Sequence, residues 1–261
     1  MKKKDLLIVI PAYNEEENLG KVLEALAAPE ISCHSDVLVI NDASVDHTPQ
    51  IAYDHGARVV TNIINMGYGC GLQIGYKFAV RYGYKYVIQM DGDGQHDVCN
   101  VSRIYEALSS GPEDEAPDIV LGSRYMKGSS VYKPGKLREV AYRWFRFLIR
   151  RMTGISVADP TTGLQGLSRR TLAYYSKYQR FDDRYPDANM LVQMLLLGFR
   201  VEQIPAVMHY RNEGKSMHSG LLKPAIYMLR MTLQLLAVWV RIRVMKIDME
   251  LVDSLLKDKK I

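Results

Sequence analysis

Cysteine is scarce in this chain: Cys33, Cys70 and Cys99 are the only three in 261 residues, with no Cys-x-x-Cys spacing. That argues against a disulfide framework and a thiolate zinc site, and it fits a reducing, cytoplasmic compartment. Long apolar runs are missing as well, since no stretch reaches the roughly 18 uncharged apolar residues of a spanning helix. The basic start Lys2–Lys4 is followed by Leu6–Ile10, about half the length of a secretory apolar region, and Pro11 ends it. With 19 Gly and 10 Pro there is no fibrous repeat, and 48% apolar residues exclude a disordered chain. At about 150 residues per domain, the length allows one large domain or one domain with an appendage.

Charge is present in both signs but is segregated. The whole chain carries +5, yet residues 121–156 hold nine Lys/Arg and one acid, Glu139. Residues 209–247 hold seven basic residues and one acid, Glu213. The body left over is acidic, at −9. Two basic, apolar-rich segments on an acidic body point to a polyanionic partner: nucleic acid, a phosphorylated ligand or anionic lipid.

Apolar periodicity predicts an α/β domain. Strand-like runs at Leu6–Ile10, Val37–Ile40, Arg58–Thr61, Tyr86–Met90 and Ile119–Leu121 alternate with helical patterns at 16–28, 46–55, a segment ending near Tyr82, and 98–108. Such short, non-alternating runs form a mostly parallel sheet buried on both faces. Further on, the pattern predicts a basic helix at 136–152, a Gly/Thr turn at 159–166, a helix at 187–197, a strand at 199–206 and a long apolar helix at 221–245. In open parallel sheets the ligand crevice lies beyond the carboxyl ends of the strands.

Those ends are polar here. The first strand runs into Pro11-Ala-Tyr-Asn-Glu15, the second into Asn41-Asp42, the fourth into Asp91-Gly-Asp-Gly-Gln-His-Asp97, and the fifth into Gly122-Ser-Arg124. Asp-Gly is an ordinary turn dipeptide. Two carboxylates one residue apart can also share a hard cation such as Mg²⁺ or Mn²⁺, which takes oxygen ligands and leaves room for phosphate. The position after a buried strand, beside two other acidic strand ends, favours the cation.

Six motifs then occur in order: Pro11-Ala-Tyr-Asn-Glu15, Asn41-Asp-Ala-Ser-Val-Asp46, Asn65-Met-Gly67, Asp91-x-Asp93-x-Gln95-His96, Gly122-Ser-Arg-Tyr125 and Arg211-x-x-Gly214-x-Ser216. This set resembles the family 2 glycosyltransferases of GT-A fold, and within them the dolichol-phosphate-mannose-synthase-like branch that acts on polyprenyl phosphates. The resemblance spans about residues 5–220. It implies a Rossmann-like GT-A domain over 1–220, with amphipathic helices at 221–261 that meet a membrane or dock on a partner.

The resemblance also implies roles. Pro11, Tyr13, Glu15, Asp42 and Asp91 line the nucleotide pocket, and Asp91, Asp93 and Gln95 hold Mg²⁺ or Mn²⁺. Arg124 and Arg138 hold the acceptor phosphate, while Arg211 and Ser216 approach the donor phosphates. Asp93, Arg124 and Arg211 are the residues expected to carry catalysis. Three departures stand out: Ala43 replaces a second acid, Asp97 a proline, and Asp187 a glutamate. The partners implied are a nucleotide-sugar donor and a polyprenyl phosphate acceptor.

The chemistry agrees with this on general grounds. A leaving diphosphate accumulates charge that a divalent ion and an arginine stabilise. An anionic phosphate nucleophile needs cationic positioning more than a general base. In Lys136–Arg151, Trp144, Phe145 and Phe147 alternate with arginines, as in an interfacial helix meeting lipid phosphates. The fifteen residues Ile226–Val240 rise only about 22 Å, short of a ~30 Å bilayer core. Peripheral attachment at the cytoplasmic membrane face is therefore expected, or docking on an integral membrane partner. Two other classes compete. A nucleic-acid-binding protein would use the same basic segments, but no nucleic-acid motif is present and the acidic strand ends would have no role. A non-catalytic regulator would bind donor without turnover. A soluble glycan or protein acceptor is the alternative within the enzyme class.

Overall fold

A computed structural model of the chain describes residues 4–112, 115–129, 136–209, 222–249 and 251–252. Seven strands form one sheet: β1 (Leu6–Ala12), β2 (Ser35–Asn41), β3 (Arg58–Thr61), β4 (Tyr86–Gln89), β5 (Ile119–Ser123), β6 (Gln165–Ser168) and β7 (Val201–Pro205). Around it pack α1 (Leu19–Leu26), α2 (Pro29–Ser32), α3 (Thr48–Asp54), α4 (Tyr68–Tyr82), α5 (Cys99–Ser109), α6 (Lys136–Thr153), α7 (Arg169–Tyr175), α8 (Ala188–Leu196) and α9 (Leu222–Trp239). The strand order is β3-β2-β1-β4-β6-β5-β7. Every pairing is parallel except those of β6, which runs antiparallel to both β4 and β5.

Alternation along β1 divides the core in two. Leu7 and Val9 enter one cluster with Leu72 and Tyr76 of α4, Phe145 and Ile149 of α6, and Met231 and Leu235 of α9. Leu6, Ile8 and Ile10 enter the other, with Leu19 and Leu23 of α1, Ala52 of α3 and Ile104 of α5. A strand covered on both faces reads as a continuous apolar run, which is why β1 shows no polar alternation.

The elements differ from the expected ones in four places. The turn expected at 159–166 leads into a strand, β6, whose Gln-Gly-Leu-Ser sequence has no strand signal of its own. It is held by its two neighbours: Val87 and Ile119 both pair with Leu167. The short helices α2 and α7 were not expected; α7 starts where Thr171 N donates to Ser168 Oγ (3.4 Å). Helix α1 begins at Leu19 rather than residue 16, because Glu15 O already accepts from Asn18 N and Leu19 N. The last long helix is α-helical only to Trp239, then widens into a π-helical turn at Val240–Val244.

Glycine at two positions of α4 separates close approach from ordinary packing. A Cβ on Gly69 would lie 2.3 Å from Asp182 O and 2.7 Å from Asp183 O, both backbone atoms. A Cβ on Gly71 would meet Ile40 and Pro11 at 3.6 Å, an ordinary contact. Gly69→Ala should therefore cost about 1–3 kcal/mol in urea unfolding. Gly71→Ala should be neutral or stabilising by up to about 1 kcal/mol, through helix propensity. Equal midpoints for the two variants would contradict the close approach.

Candidate active site

Strands β1, β2 and β4 are parallel neighbours, so the residues that follow them emerge along one edge of the sheet. Gln89 pairs with Gln165, so the segment 159–164 preceding the antiparallel β6 reaches the same edge. The acidic strand ends and the Asp159–Gly163 turn are thereby brought together.

The loops after β1 and β2 brace each other. Asn14 N donates to Ser44 Oγ (3.0 Å), Val45 N to Asn14 Oδ1 (3.0 Å) and Glu15 N to Thr48 Oγ1 (2.9 Å). Asp46 accepts from Thr48 N (3.0 Å) at the start of α3 and from Glu16 N (3.2 Å). Asn14 and Ala43 take φ of 54° and 60°, left-handed values that let both loops turn sharply. Tyr13 stands 48% exposed at the rim, whereas Pro11 and Glu15 are half-buried. Asp42 is buried, and its carboxylate accepts from Asn62 Nδ2, Met66 N and Gly67 N, each at 2.8 Å. Its task in this structure is to hold the loop that opens α4.

The Asp91–Gln95 loop curls over β1: a Cβ on Gly92 would touch Ile10 at 3.3 Å. Asp91, Asp93 and Gln95 are all half-buried. Asp93 Oδ1 accepts from Gln95 N (3.0 Å), closing the turn between them. Asp91 N donates to His96 Nδ1 (3.1 Å), which leaves the ring proton of neutral His96 on Nε2, 3.8 Å from Asp91 Oδ2. His96 is thus a buried support beneath the motif. On the other side, the Tyr68 hydroxyl donates to Asp91 Oδ1 (3.0 Å). Burial first, and the charges of Asp91 and Asp187 among the further causes, push the Tyr68 phenol well above its ordinary range, so it stays a donor.

Asp97, the residue in place of a proline, does two things. Its Oδ1 accepts from Cys99 N (2.8 Å) at the start of α5, and its Oδ2 meets His209 Nε2 at 2.7 Å. With His209 N donating to Gln95 O (2.8 Å), the segment after β7 is tied to the Asp91–Gln95 loop.

Arg124 follows β5 and forms a bidentate pair with Asp159: Nε to Oδ2 and Nη2 to Oδ1, both 2.7 Å. Arg124 N also donates to Asp159 Oδ2, and Nη2 reaches Thr161. The Asp159 side chain is 0% exposed and that of Arg124 16%. The Arg124 guanidinium lies 5.6 Å from the Tyr125 ring and 5.9 Å from that of Tyr142. Asp187 precedes α8 and accepts from Tyr227 of α9 (2.8 Å). Sequence reasoning did not assign Tyr68, Asp159 or Tyr227 a part in this arrangement. Asp159 was visible only as a turn residue and Tyr68 only as the residue after the Asn65-Met-Gly67 motif. Arg211 and Ser216, and the side chain of Arg138, lie outside the described residues.

The donor set at Asp91, Asp93 and Gln95 suits Mg²⁺ or Mn²⁺. Among the described residues no three His, Cys, Asp or Glu side chains gather to hold an ion by themselves. Two carboxylates and an amide oxygen are ligand types that hard cations accept at phosphate sites, where one or two carboxylates are completed by phosphate oxygens and water.

Comparison with known proteins finds sugar transferases among the relatives of this chain. An undecaprenyl-phosphate mannosyltransferase of Micrococcus luteus is 31% identical over 82% of this chain and 88% of its own. A polyprenol monophosphomannose synthase of Mycolicibacterium smegmatis is 28% identical over 82% and 81%. Glucosyl-3-phosphoglycerate synthase of Mycobacterium tuberculosis, solved with Mn²⁺, uridine diphosphate and phosphoglyceric acid, superposes with a TM-score of 0.64 at 20% identity, over 90% of this chain and 78% of that one. That likeness establishes the fold. The sequence profile of Glycosyl transferase family 2 matches residues 7–175. By that match, and by the near full-length similarity to the Micrococcus enzyme, this chain belongs to glycosyl transferase family 2 and is a glycosyltransferase.

Proposed function

We propose that the chain moves a sugar from a nucleotide-sugar donor to a polyprenyl phosphate, with inversion, while lying on the cytoplasmic face of a membrane. A lone pair of the acceptor phosphate forms the new bond to the anomeric carbon. The bond to the diphosphate breaks in the same in-line step, and its electron pair leaves on the nucleoside diphosphate. Asp91, Asp93 and Gln95 would hold Mg²⁺ or Mn²⁺, which when bound neutralises the charge gathering on that leaving group. Pro11, Tyr13, Glu15 and Asp42 belong to the nucleotide side of the pocket. Arg124, with Arg138, belongs to the acceptor side, and Arg211 with Ser216 to the donor phosphates. Because the nucleophile is already anionic, the reading needs no general base.

The observation that carries this reading is the likeness to two enzymes named for polyprenyl acceptors, each covering 82% of this chain. The outer helices support the membrane part. Val140, Trp144 and Phe147 are exposed on α6, and Ile226, Leu229, Leu233 and Leu236 on α9. Trp144 Nε1 donates to Thr232 Oγ1 (3.1 Å), which stitches the two helices side by side. With Arg143, Arg150 and Arg151 exposed on α6, the surface combines apolar side chains with cations, as an anionic bilayer surface requires. No helix among the described residues is long and apolar enough to cross a membrane.

The test is a panel of labelled nucleotide sugars offered with a short polyprenyl phosphate in anionic vesicles, or with soluble glycan and peptide acceptors. Label should appear in the vesicle fraction and require the lipid phosphate. Label confined to a soluble acceptor would replace the acceptor assignment and leave the family standing.

A further inference from the structure

The glycine-rich segment Asn65–Gly71 opens α4, and Gly69 accounts for the close approach to Asp182 and Asp183. The glycines do not account for the tyrosine among them. Tyr68 sits on the first turn of α4, and its hydroxyl reaches across the sheet edge to Asp91 Oδ1 at 3.0 Å. Backbone also closes on this pair, at Gly163. A Cβ on Gly163 would lie 2.9 Å from Asp91 Oδ2 and 3.3 Å from the Tyr68 hydroxyl oxygen. The Gly163 carbonyl is pinned in turn by Gln89 Nε2 (3.0 Å). Beneath, His96 takes the Asp91 N–H. Asp91 is therefore bounded by a phenol and a glycine with no side chain at its carboxylate, and by a buried imidazole at its backbone N–H.

We infer that Tyr68 is a positioning residue for the cation site, fixing the rotation of the Asp91 carboxylate so that it meets a divalent ion already oriented. The inference rests on the assignment of Asp91, Asp93 and Gln95 to Mg²⁺ or Mn²⁺ proposed above. The physical reason is general. A carboxylate ligand with no outer partner turns freely about its last bond, and ion binding must then stop that rotation. A hydrogen-bonded carboxylate meets the ion with the rotation already stopped, and removing such outer partners weakens metal affinity by about 10–100-fold. Tyr68 touches neither sugar nor diphosphate in this account; it acts through Asp91.

The experiment measures free Mn²⁺ by electron paramagnetic resonance as the full chain is titrated, with UDP or GDP present, whichever the unmodified protein retains. Tyr68→Phe keeps the ring and removes only the donor. Its Mn²⁺ dissociation constant should rise about 10–100-fold, and the loss of sugar transfer should recover when Mn²⁺ is raised in proportion. Tyr84→Phe is the control. It removes the same kind of bond, tyrosine to carboxylate, at the opposite end of the sheet, where Tyr84 donates to Asp36 (2.6 Å), and it should leave Mn²⁺ affinity within about twofold. Gly163→Ala sets a methyl group against both the Asp91 carboxylate and the Tyr68 hydroxyl, and should weaken Mn²⁺ binding as well.

Mn²⁺ affinity unchanged in Tyr68→Phe, or lowered equally in Tyr84→Phe, overturns the role of Tyr68 and leaves the metal assignment intact. Unchanged affinity in Gly163→Ala also overturns it, and that variant remains decisive if Tyr68→Phe fails to fold. An unmodified protein that retains no Mn²⁺ with either nucleotide overturns the metal assignment itself, and the inference falls with it.

Discussion

Asp93→Ala is expected to abolish sugar transfer, lowering turnover by at least about 10²–10³-fold, the scale on which one group stabilising transition-state charge contributes. Chelation of divalent ions should do the same to the unmodified protein. Asp93 also accepts the Gln95 amide proton, so a loss in the alanine variant could come from an opened turn as well as from a missing charge. Asp93→Asn separates the two, because the side-chain carbonyl still closes the turn while the charge is gone. If charge toward the ion is what matters, the asparagine variant loses as much activity as the alanine one. Wild-type turnover in Asp93→Asn, measured as labelled sugar transferred at saturating Mn²⁺, would reduce Asp93 to a turn residue.

Asp159→Ala is expected to destabilise the fold by about 3–5 kcal/mol, the cost of leaving one member of a buried ion pair uncompensated. The Asp159 side chain is fully buried and receives three N–H groups of Arg124, two from the guanidinium and one from the backbone. Removing the carboxylate strands a cation that is itself largely out of water and frees the 159–161 turn from the end of β5. The double variant Arg124→Met, Asp159→Leu should recover most of the loss, since replacing both charges with apolar side chains of similar size is often neutral. Urea unfolding at neutral pH checks both values. A loss below about 1 kcal/mol in Asp159→Ala would place the pair among surface ion pairs of small consequence. The same cycle tests function, because the double variant restores the fold without restoring a cation at position 124.

The legible parts of the fold were those with a local pattern. Leu6–Ile10 reads as a doubly buried strand because both of its faces are apolar, and 98–108 reads as a helix because Val101, Ile104 and Leu108 fall on one face. Strand β6 was illegible because four residues with a central glycine carry no preference. Pairing on both sides supplies what local propensity lacks. Asp97 was expected to change only the start of a helix. The partner at its other oxygen, His209, is 112 residues away and leaves no trace in sequence spacing.

The sequence by itself determined the family, the order of the strand ends and the residue types gathered beyond them. Composition, apolar periodicity and short motifs are local properties, and a chain carries them folded or unfolded. Only the tertiary structure decided which groups meet: Tyr68 with Asp91, Arg124 with Asp159, Tyr227 with Asp187 and Asp42 with the Asn62–Gly67 loop. Each of these contacts joins residues about 20–40 positions apart. Tyr227 meets Asp187 because α9 packs on α8; the others exist because sheet order and an antiparallel insertion bring distant loops to one edge, where a hydrogen bond costs no further chain ordering.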